Sequence, residues 1–366
     1  MFGTRPECIK LAPVIRAIDS RPDMESLVIS SSQHTDLLTP FLSSFDVKVD
    51  HDLKVMRAGQ STNEVLSRVL SPLEVLLCQE RPRVVLVQGD TTTALAGAIT
   101  AFHANIPVGH VEAGLRTGDI GAPFPEEMNR RLISQIASYH FAATKQNVQN
   151  LEREDVPQSA MWLTGNPVVD ALHWILANRS PSASITEIIK RHSGKKLIVL
   201  TTHRRESFGA AMKGNLRAIA EFVESNTDCV VLFPVHPNPN VRNATREILA
   251  DAKGFEIIDP LDYPDFIHLL SAAWLIVSDS GGIQEEAPSL GKRLIVLRRN
   301  TERPEVVETG VGKLIGDNPQ LLKETLQSAA SDTVWSDAAN TKQDLYGTGD
   351  AAEQIVNALA MVFGEK

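Results

Sequence analysis

Residues 109–132, GHVEAGLRTGDIGAPFPEEMNRRL, crowd glutamates, arginines and an aspartate among glycines and prolines, between an apolar strand-like run and a helix-like segment. Charge is placed the same way elsewhere in the chain. Asp90 closes VVLVQGD (84–90), Glu112 closes IPVGHVE (106–112), His203 closes KLIVLTTH (196–203) ahead of Arg204 and Arg205, and His236 closes CVVLFPVH (229–236). SDSGG at 278–282 follows another apolar run and opens IQEEA, which offers main-chain N–H groups at a helix start to an anion, phosphate above all. Such placements in both halves point to one ligand cleft, because open α/β sheets bind ligands at the carboxyl ends of their strands.

Each residue also has a plain structural reading. Asp90 before three threonines is equally a helix cap. Glu126 and Glu127 follow Pro125, and at least one of them reads as a first-turn acid facing the helix dipole. His236 before PNPN reads as a satisfied turn histidine, the Arg-Arg pairs at 130–131 and 204–205 as a solvated face, and SGG as a simple chain turn. The histidines lack HExxH spacing, HVE at 110–112 has no downstream PCxxC, and GxSxG, GxxxxGK[ST] and GxGxxG do not occur. Phosphate binding therefore rests on helix N-termini and basic side chains.

Short Val/Ile/Leu runs, including WLIVSDSGG (274–282) and RLIVLRR (293–299), alternate with helix-length segments from end to end. That rhythm predicts an α/β fold of parallel sheets with helices on both faces. It breaks near 178–196, where a polar Ser/Pro/Gly stretch predicts a hinge between two doubly wound halves. The expected domains are 1–170 and 171–350, with a helix at 351–366 folding back on the first. With 366 residues, 43% of them apolar, the chain can bury two cores. A net charge of −9 argues against nucleic-acid or anionic-membrane partners. Cys8, Cys78 and Cys229 form no disulfide or zinc pattern, and no apolar run is long enough to span a bilayer, so the chain reads as soluble and cytoplasmic.

Eight ordered motifs resemble the non-hydrolysing UDP-N-acetylglucosamine 2-epimerases: FGTRPExIKxAP (2–13), GDTTT (89–93), GHVEAGLRTGD (109–119), PFPEEMNRRL (123–132), HRRESFG (203–209), PVHPNPNVR (234–242), DSGGIQEEAPSLGK (279–292) and TERPE (301–305). The resemblance implies a GT-B architecture, two Rossmann-like domains with the active site in the cleft between them, and a homodimer. It implies interconversion of UDP-N-acetylglucosamine and UDP-N-acetylmannosamine without NAD or metal, by departure of UDP to give 2-acetamidoglucal and re-addition, in supply of cell-surface polysaccharide precursors.

By that resemblance Asp90, Glu112 and Glu126 are the catalytic carboxylates, with His203 beside them. Arg5, Lys10 and His203 match functionally important cationic positions, Ser280, Gly281 and Gly282 match the diphosphate cradle, and Glu286 accepts from the ribose hydroxyls. Gln33, His34, Gln60 and His236 match a second nucleotide-sugar pocket found in allosterically activated members, although Gly59 stands where such members can carry an arginine. The family also begins with an apolar strand of about half a dozen residues ahead of FGTRPE, so the expectation is either a mis-annotated start or a first domain without that strand. The alternatives are a GT-B glycosyltransferase, a hydrolysing epimerase and a catalytically idle nucleotide-sugar sensor.

Overall fold

The computed structural model describes residues 1–32, 41–57, 59–202, 209–331 and 342–364. The chain divides into two compact units, Met1–Ile175 with Tyr346–Lys366, and Leu176–Leu345.

The first unit begins with helix α1 (Arg5–Asp19), followed by the short parallel pair β1 (Ile29–Ser30) and β2 (His51–Asp52) and by α2 (Thr62–Glu80). Ser61 caps α2 reciprocally with Glu64, its N–H donating to Glu64 Oε2 at 2.7 Å while the Glu64 N–H donates to Ser61 Oγ at 3.3 Å. Then come β3 (Val85–Gln88), α3 (Thr92–His103), β4 (Val108–Ala113), α4 (Glu126–Ile136), β5 (Tyr139–Ala142), α5 (Lys145–Glu152), β6 (Met161–Leu163) and α6 (Pro167–Asn178). Strands β3 to β6 form one parallel sheet in sequence order. Its core joins Val85, Val87 and Val108 to Val69, Leu73 and Leu77 of α2 and to the small residues of α3.

Met1 and Phe2 lie between β1 and β3. Phe2 bridges Ser30 in parallel, donating to the Ile29 carbonyl at 3.1 Å and accepting from the Ser31 N–H at 2.9 Å, while the Met1 ammonium donates to the Leu86 carbonyl at 2.9 Å. Alongside them a cavity of about 760 Å³ is lined by apolar side chains, among them Leu11, Val14, Val28, Ile29, Val85 and Phe363.

The second unit holds α7 (Ala183–Arg191), β7 (Lys196–Thr201), α8 (Ala210–Ser225), β8 (Cys229–Pro234), α9 (Pro239–Leu249), β9 (Phe255–Ile258), α10 (Tyr263–Ala272), β10 (Leu275–Ser278), α11 (Gly281–Ser289), β11 (Arg293–Val296), α12 (Pro304–Glu308), β12 (Gly312–Leu314) and α13 (Pro319–Ala330). All six strands are parallel, in the order β12-β11-β10-β7-β8-β9. From β9 across, this is the doubly wound order 3-2-1-4-5-6, which reverses direction between β7 and β10. Leu197–Leu200 are buried on both faces, as expected for a central strand covered by helices on either side.

Helix α14 (Ala351–Phe363) belongs to the first unit, where it packs along α1. The Asp170 carboxylate accepts the N–H groups of Ala351 and Ala352 at 3.2 and 2.8 Å, satisfying main-chain donors that the helix start leaves open. All six apolar runs singled out in the sequence fall on strands. β1, β2, β6 and β12, at two or three residues each, are too short to show a pattern, and β5 (YHFA) and β9 (FEII) carry a polar residue inside the strand that breaks the apolar run.

Candidate active site

β3 ends at Gln88, and the chain turns at Gly89, whose φ of +67° is left-handed backbone that glycine adopts without strain. Asp90 follows, but it does not cap α3. That task falls to Thr91, whose Oγ1 accepts the Ala94 N–H at 3.0 Å. The Asp90 carboxylate instead accepts from Arg130 Nη2 at 2.5 Å, and its carbonyl accepts from Asn129 Nδ2 at 2.9 Å.

Glu112 occupies a costlier position. Its φ is +64°, rare for a residue with a β-carbon, and the pairing of β4 with β5 shifts register between Val111 and Ala113. Such strain persists where surrounding contacts fix it. Here the fixing contacts are polar. The buried carboxylate, in a residue 6% exposed, is ion-paired with Lys10 Nζ and accepts from Gln88 Nε2 and, at 3.2 Å, from Asn166 Nδ2. A β-carbon added at Gly89 would stand 3.5 Å from Glu112 Oε2, so this carboxylate lies against the turn that carries Asp90. Two strand positions back, His110 Nε2 sits 2.7 Å from the Gly89 carbonyl. Because a carbonyl only accepts, Nε2 carries the proton, and burial pushes the imidazole pKa down to about 3, keeping it neutral.

The turn before α1 is tied to the same place. The Glu7 carboxylate accepts from the N–H groups of Gly3 and Thr4 at 3.0 and 2.8 Å and from Thr91 Oγ1 at 2.6 Å. Burial raises its pKa and these hydrogen bonds oppose the rise. Arg5, the first residue of α1, places its guanidinium 4.1 Å from the centre of the Phe41 ring.

Glu126 opens α4 and is half-buried, whereas Glu127 is fully buried. Glu127 pairs with Arg130 at 3.3 Å and Arg131 at 3.2 Å and accepts the N–H groups of Thr117 and Gly118 at 3.1 and 3.4 Å. Arg116 adds a two-pronged contact to Glu154, at 2.7 and 2.5 Å, and a bond to Ser134 at 2.9 Å. The solvated-face reading of the pair at 130–131 is wrong for Arg130, whose side chain is 4% exposed. Arginine pairs look alike in sequence whether they face water or a buried carboxylate.

In the second unit Thr201 ends β7 and Thr202 follows it, facing the last residue of β10 and the residue after it. Thr201 Oγ1 and Ser278 Oγ are 2.7 Å apart, and Thr202 Oγ1 donates to Asp279 Oδ2 at 2.9 Å. Ser280 is the N-cap residue of α11 and makes no side-chain cap, and Gly281 and Gly282 form the first helical positions. The helix start thus presents its N–H groups at the strand-order reversal, the general ligand position of such sheets. Glu286 is buried and accepts from the Tyr263 hydroxyl at 2.9 Å. Behind the glycines Arg303 pairs with Glu285 at 2.6 Å and with Glu302, which also meets Arg298 at 2.9 Å.

Of the second-pocket residues, Gln60 accepts from the Arg57 N–H at 3.1 Å and from Arg68 Nη1 at 3.0 Å, and His236 Nδ1 accepts the Asn238 N–H at 3.2 Å, a turn role. Gln33, His34 and His203 lie outside the described residues. Among the described residues no three His, Cys, Asp or Glu side chains group as metal ligands, and no helix is long and apolar enough to cross a membrane.

The sequence profile of the UDP-N-acetylglucosamine 2-epimerase family matches residues 16–360. The chain belongs to that family. It is 43% identical over 364 residues to the UDP-N-acetylglucosamine 2-epimerase of Escherichia coli K12, covering 98% of this chain and 97% of that protein. Its fold matches the Neisseria meningitidis epimerase crystallised with UDP-GlcNAc at a TM-score of 0.92 and 39% identity, over 98% of both chains. It matches the Methanocaldococcus jannaschii epimerase in complex with UDP-GlcNAc and UDP at a TM-score of 0.84 and 34% identity, again over 98% of both chains. The epimerase fold is the GT-B-like one of two Rossmann-type domains, as the strand rhythm predicts.

Gln88, Asn129 and Asn166 carry no expected role in the sequence, yet Gln88 and Asn166 hold Glu112 and Asn129 holds the Asp90 carbonyl; Arg130, expected on a solvated face, meets Asp90, and Glu127, expected as a first-turn acid, meets Arg130. Gln88 stands two positions before Asp90 in the VVLVQGD run, and Arg130 stands inside PFPEEMNRRL. Asn166 had no signal, since it follows β6, two strands across the sheet from β4.

Proposed function

We propose that the chain interconverts UDP-N-acetylglucosamine and UDP-N-acetylmannosamine. The observation that carries this reading is the strained Glu112, gripped by Lys10, Gln88 and Asn166 beside the Asp90 turn. The C2 proton has no adjacent carbonyl to acidify it, so direct deprotonation is slow. In the route adopted here a carboxylate takes the C2 proton, the C–H electron pair becomes the C1=C2 bond, and UDP leaves with the C1–O pair. Re-addition of UDP to the 2-acetamidoglucal, with a proton delivered to the opposite face of C2, gives the epimer.

That scheme needs acid–base groups on two faces of the sugar and stabilisation of the departing diphosphate. Asp90, Glu112 and Glu126 take the first task as a coupled set. Lys10 keeps Glu112 oriented. The α11 start, with Ser280, Gly281 and Gly282, takes the diphosphate, Arg5 and His203 add positive charge, and Glu286 accepts from the ribose hydroxyls. The relatives solved with UDP-GlcNAc and UDP support the ligand class.

Proton NMR of UDP-N-acetylglucosamine incubated with the protein in deuterium oxide tests the reading. The expected product is UDP-N-acetylmannosamine carrying deuterium at C2. Free N-acetylmannosamine would indicate a hydrolysing enzyme, and unchanged substrate would exclude epimerisation.

A further inference from the structure

We propose that Arg130 is the positioning residue for Asp90, and that buried Glu127 fixes Arg130 in turn. The guanidinium meets two carboxylates, hydrogen-bonded through Nη2 to Asp90 Oδ2 at 2.5 Å and ion-paired through Nη1 with Glu127 Oε2 at 3.3 Å. Arg130 and Glu127 have side chains 4% and 0% exposed, while Asp90 keeps 25% of its side-chain surface. Two charges withdrawn from water thus direct a third that stays accessible. Burial of this kind is a poor source of stability, since desolvation offsets the Coulomb gain. As a positioning device it has a clear use, because the planar fork fixes both direction and distance where an ammonium offers a single point.

The neighbours extend the clamp. Asn129, one residue before Arg130, holds the Asp90 carbonyl, and Glu127 gathers the N–H groups of Thr117 and Gly118 from the loop leading to α4. Glu126 is the residue before Glu127 at the same helix start. A shift of this turn therefore moves Asp90 and Glu126 relative to one another, and with them two of the three carboxylates assigned to proton transfer.

The inference rests on the epimerase reading for its catalytic consequence, and the test separates the two. Arg130→Ala, Arg130→Lys and Glu127→Gln are compared with wild type by NMR turnover, KM, and hydrogen exchange over residues 88–92 and 115–128. Misplacement of a reacting group by about 1 Å can cost ~10²-fold in rate, so Arg130→Ala is expected to lower kcat by about that factor with KM changed only a few-fold. Arg130→Lys and Glu127→Gln should fall between, added methylguanidinium should restore part of the Arg130→Ala rate, and exchange in both segments should quicken. Near-normal kcat in Arg130→Ala overturns the proposal. So does an equal loss in Arg130→Ala and Arg130→Lys without methylguanidinium rescue, which marks a merely structural side chain. If the wild type turns over no UDP-N-acetylglucosamine, the epimerase reading fails, and the exchange arm still decides the clamp: unchanged exchange in Arg130→Ala removes it.

Discussion

The two units treat the centre of their sheets differently. In the second, β7 occupies the strand-order reversal as six residues, with Leu197–Leu200 buried among the side chains of its neighbours. In the first, the place between β1 and β3 is held by Met1 and Phe2, beside an apolar cavity of about 760 Å³. The second unit therefore positions the start of α11 with a packed apolar strand. The first positions Lys10, Asp90 and Glu112 with polar ties, Glu7 to Thr91, Lys10 to Glu112 and Arg130 to Asp90. Site geometry and sheet stability are thus separable here: charged and hydrogen-bonded groups hold the candidate acid–base residues, and burial holds the strands beneath.

The sharpest way to break that separation is to remove a charge and keep its shape. Asp90→Asn and Glu112→Gln should each lower turnover by ~10²-fold or more while UDP affinity stays near wild type, because proton transfer is lost and diphosphate contacts are not. Near-normal turnover in either variant would remove that residue from the mechanism.

The second unit makes its own contrast between adjacent glycines. A β-carbon at Gly282 meets nothing within 4 Å, whereas one at Gly281 would come within 2.9 Å of Arg303 Nη1. Gly282→Ala is expected to leave the melting temperature of the free protein unchanged and to weaken UDP by about 10-fold, the scale of one lost hydrogen bond to a charged group. Gly281→Ala should lower the melting temperature by pressing on the Arg303 pair with Glu285 and Glu302. Calorimetric titration with UDP and thermal melts on both variants distinguish a cradle from a plain chain turn.

The smallest effect concerns acid. Burial pushes the pKa of His110 to about 3 and of His140 to about 4, both below the ordinary 6.5. The unfolded chain then binds protons more readily than the folded one, so this stability is complete above pH 6.5 and is lost as the pH falls towards those values. In the same unit burial raises the Asp170 carboxyl to about 6, which works against the histidines over this range, so the histidine contribution is read by substitution: hydrogen exchange of the first unit between about pH 6 and 4 should show a flatter acid slope in His110→Gln than in wild type. Identical slopes in the two proteins would contradict it.

The strands carrying chemistry were legible because burial on both faces forces continuous apolar runs, and each run stops where a charged residue or glycine appears. Asp90, Glu112 and the SDSGG turn could be placed on that ground alone, and the family resemblance added Arg5, Lys10 and Glu286. Local sequence left one of these undecided. Whether Asp90 capped a helix depended on where the helix begins: it starts at Thr92, so Thr91 holds the capping position and accepts the Ala94 N–H, while Asp90, one residue earlier, turns to Arg130.

What the sequence determined by itself is the part of this protein with a local cause: six strands, their order of alternation with helices, the charged strand ends and the family. Tertiary structure decided which charges are buried and whom they meet. Lys10 and Glu112 stand 102 positions apart, Asn166 and Glu112 54 apart, and Arg130 and Asp90 40 apart. No periodicity encodes such partners, because each is set by where parallel crossovers return the chain. The same holds for Arg130 against Arg131, neighbours of one type separated by helix geometry, which turns one towards a buried carboxylate and leaves the other a third exposed.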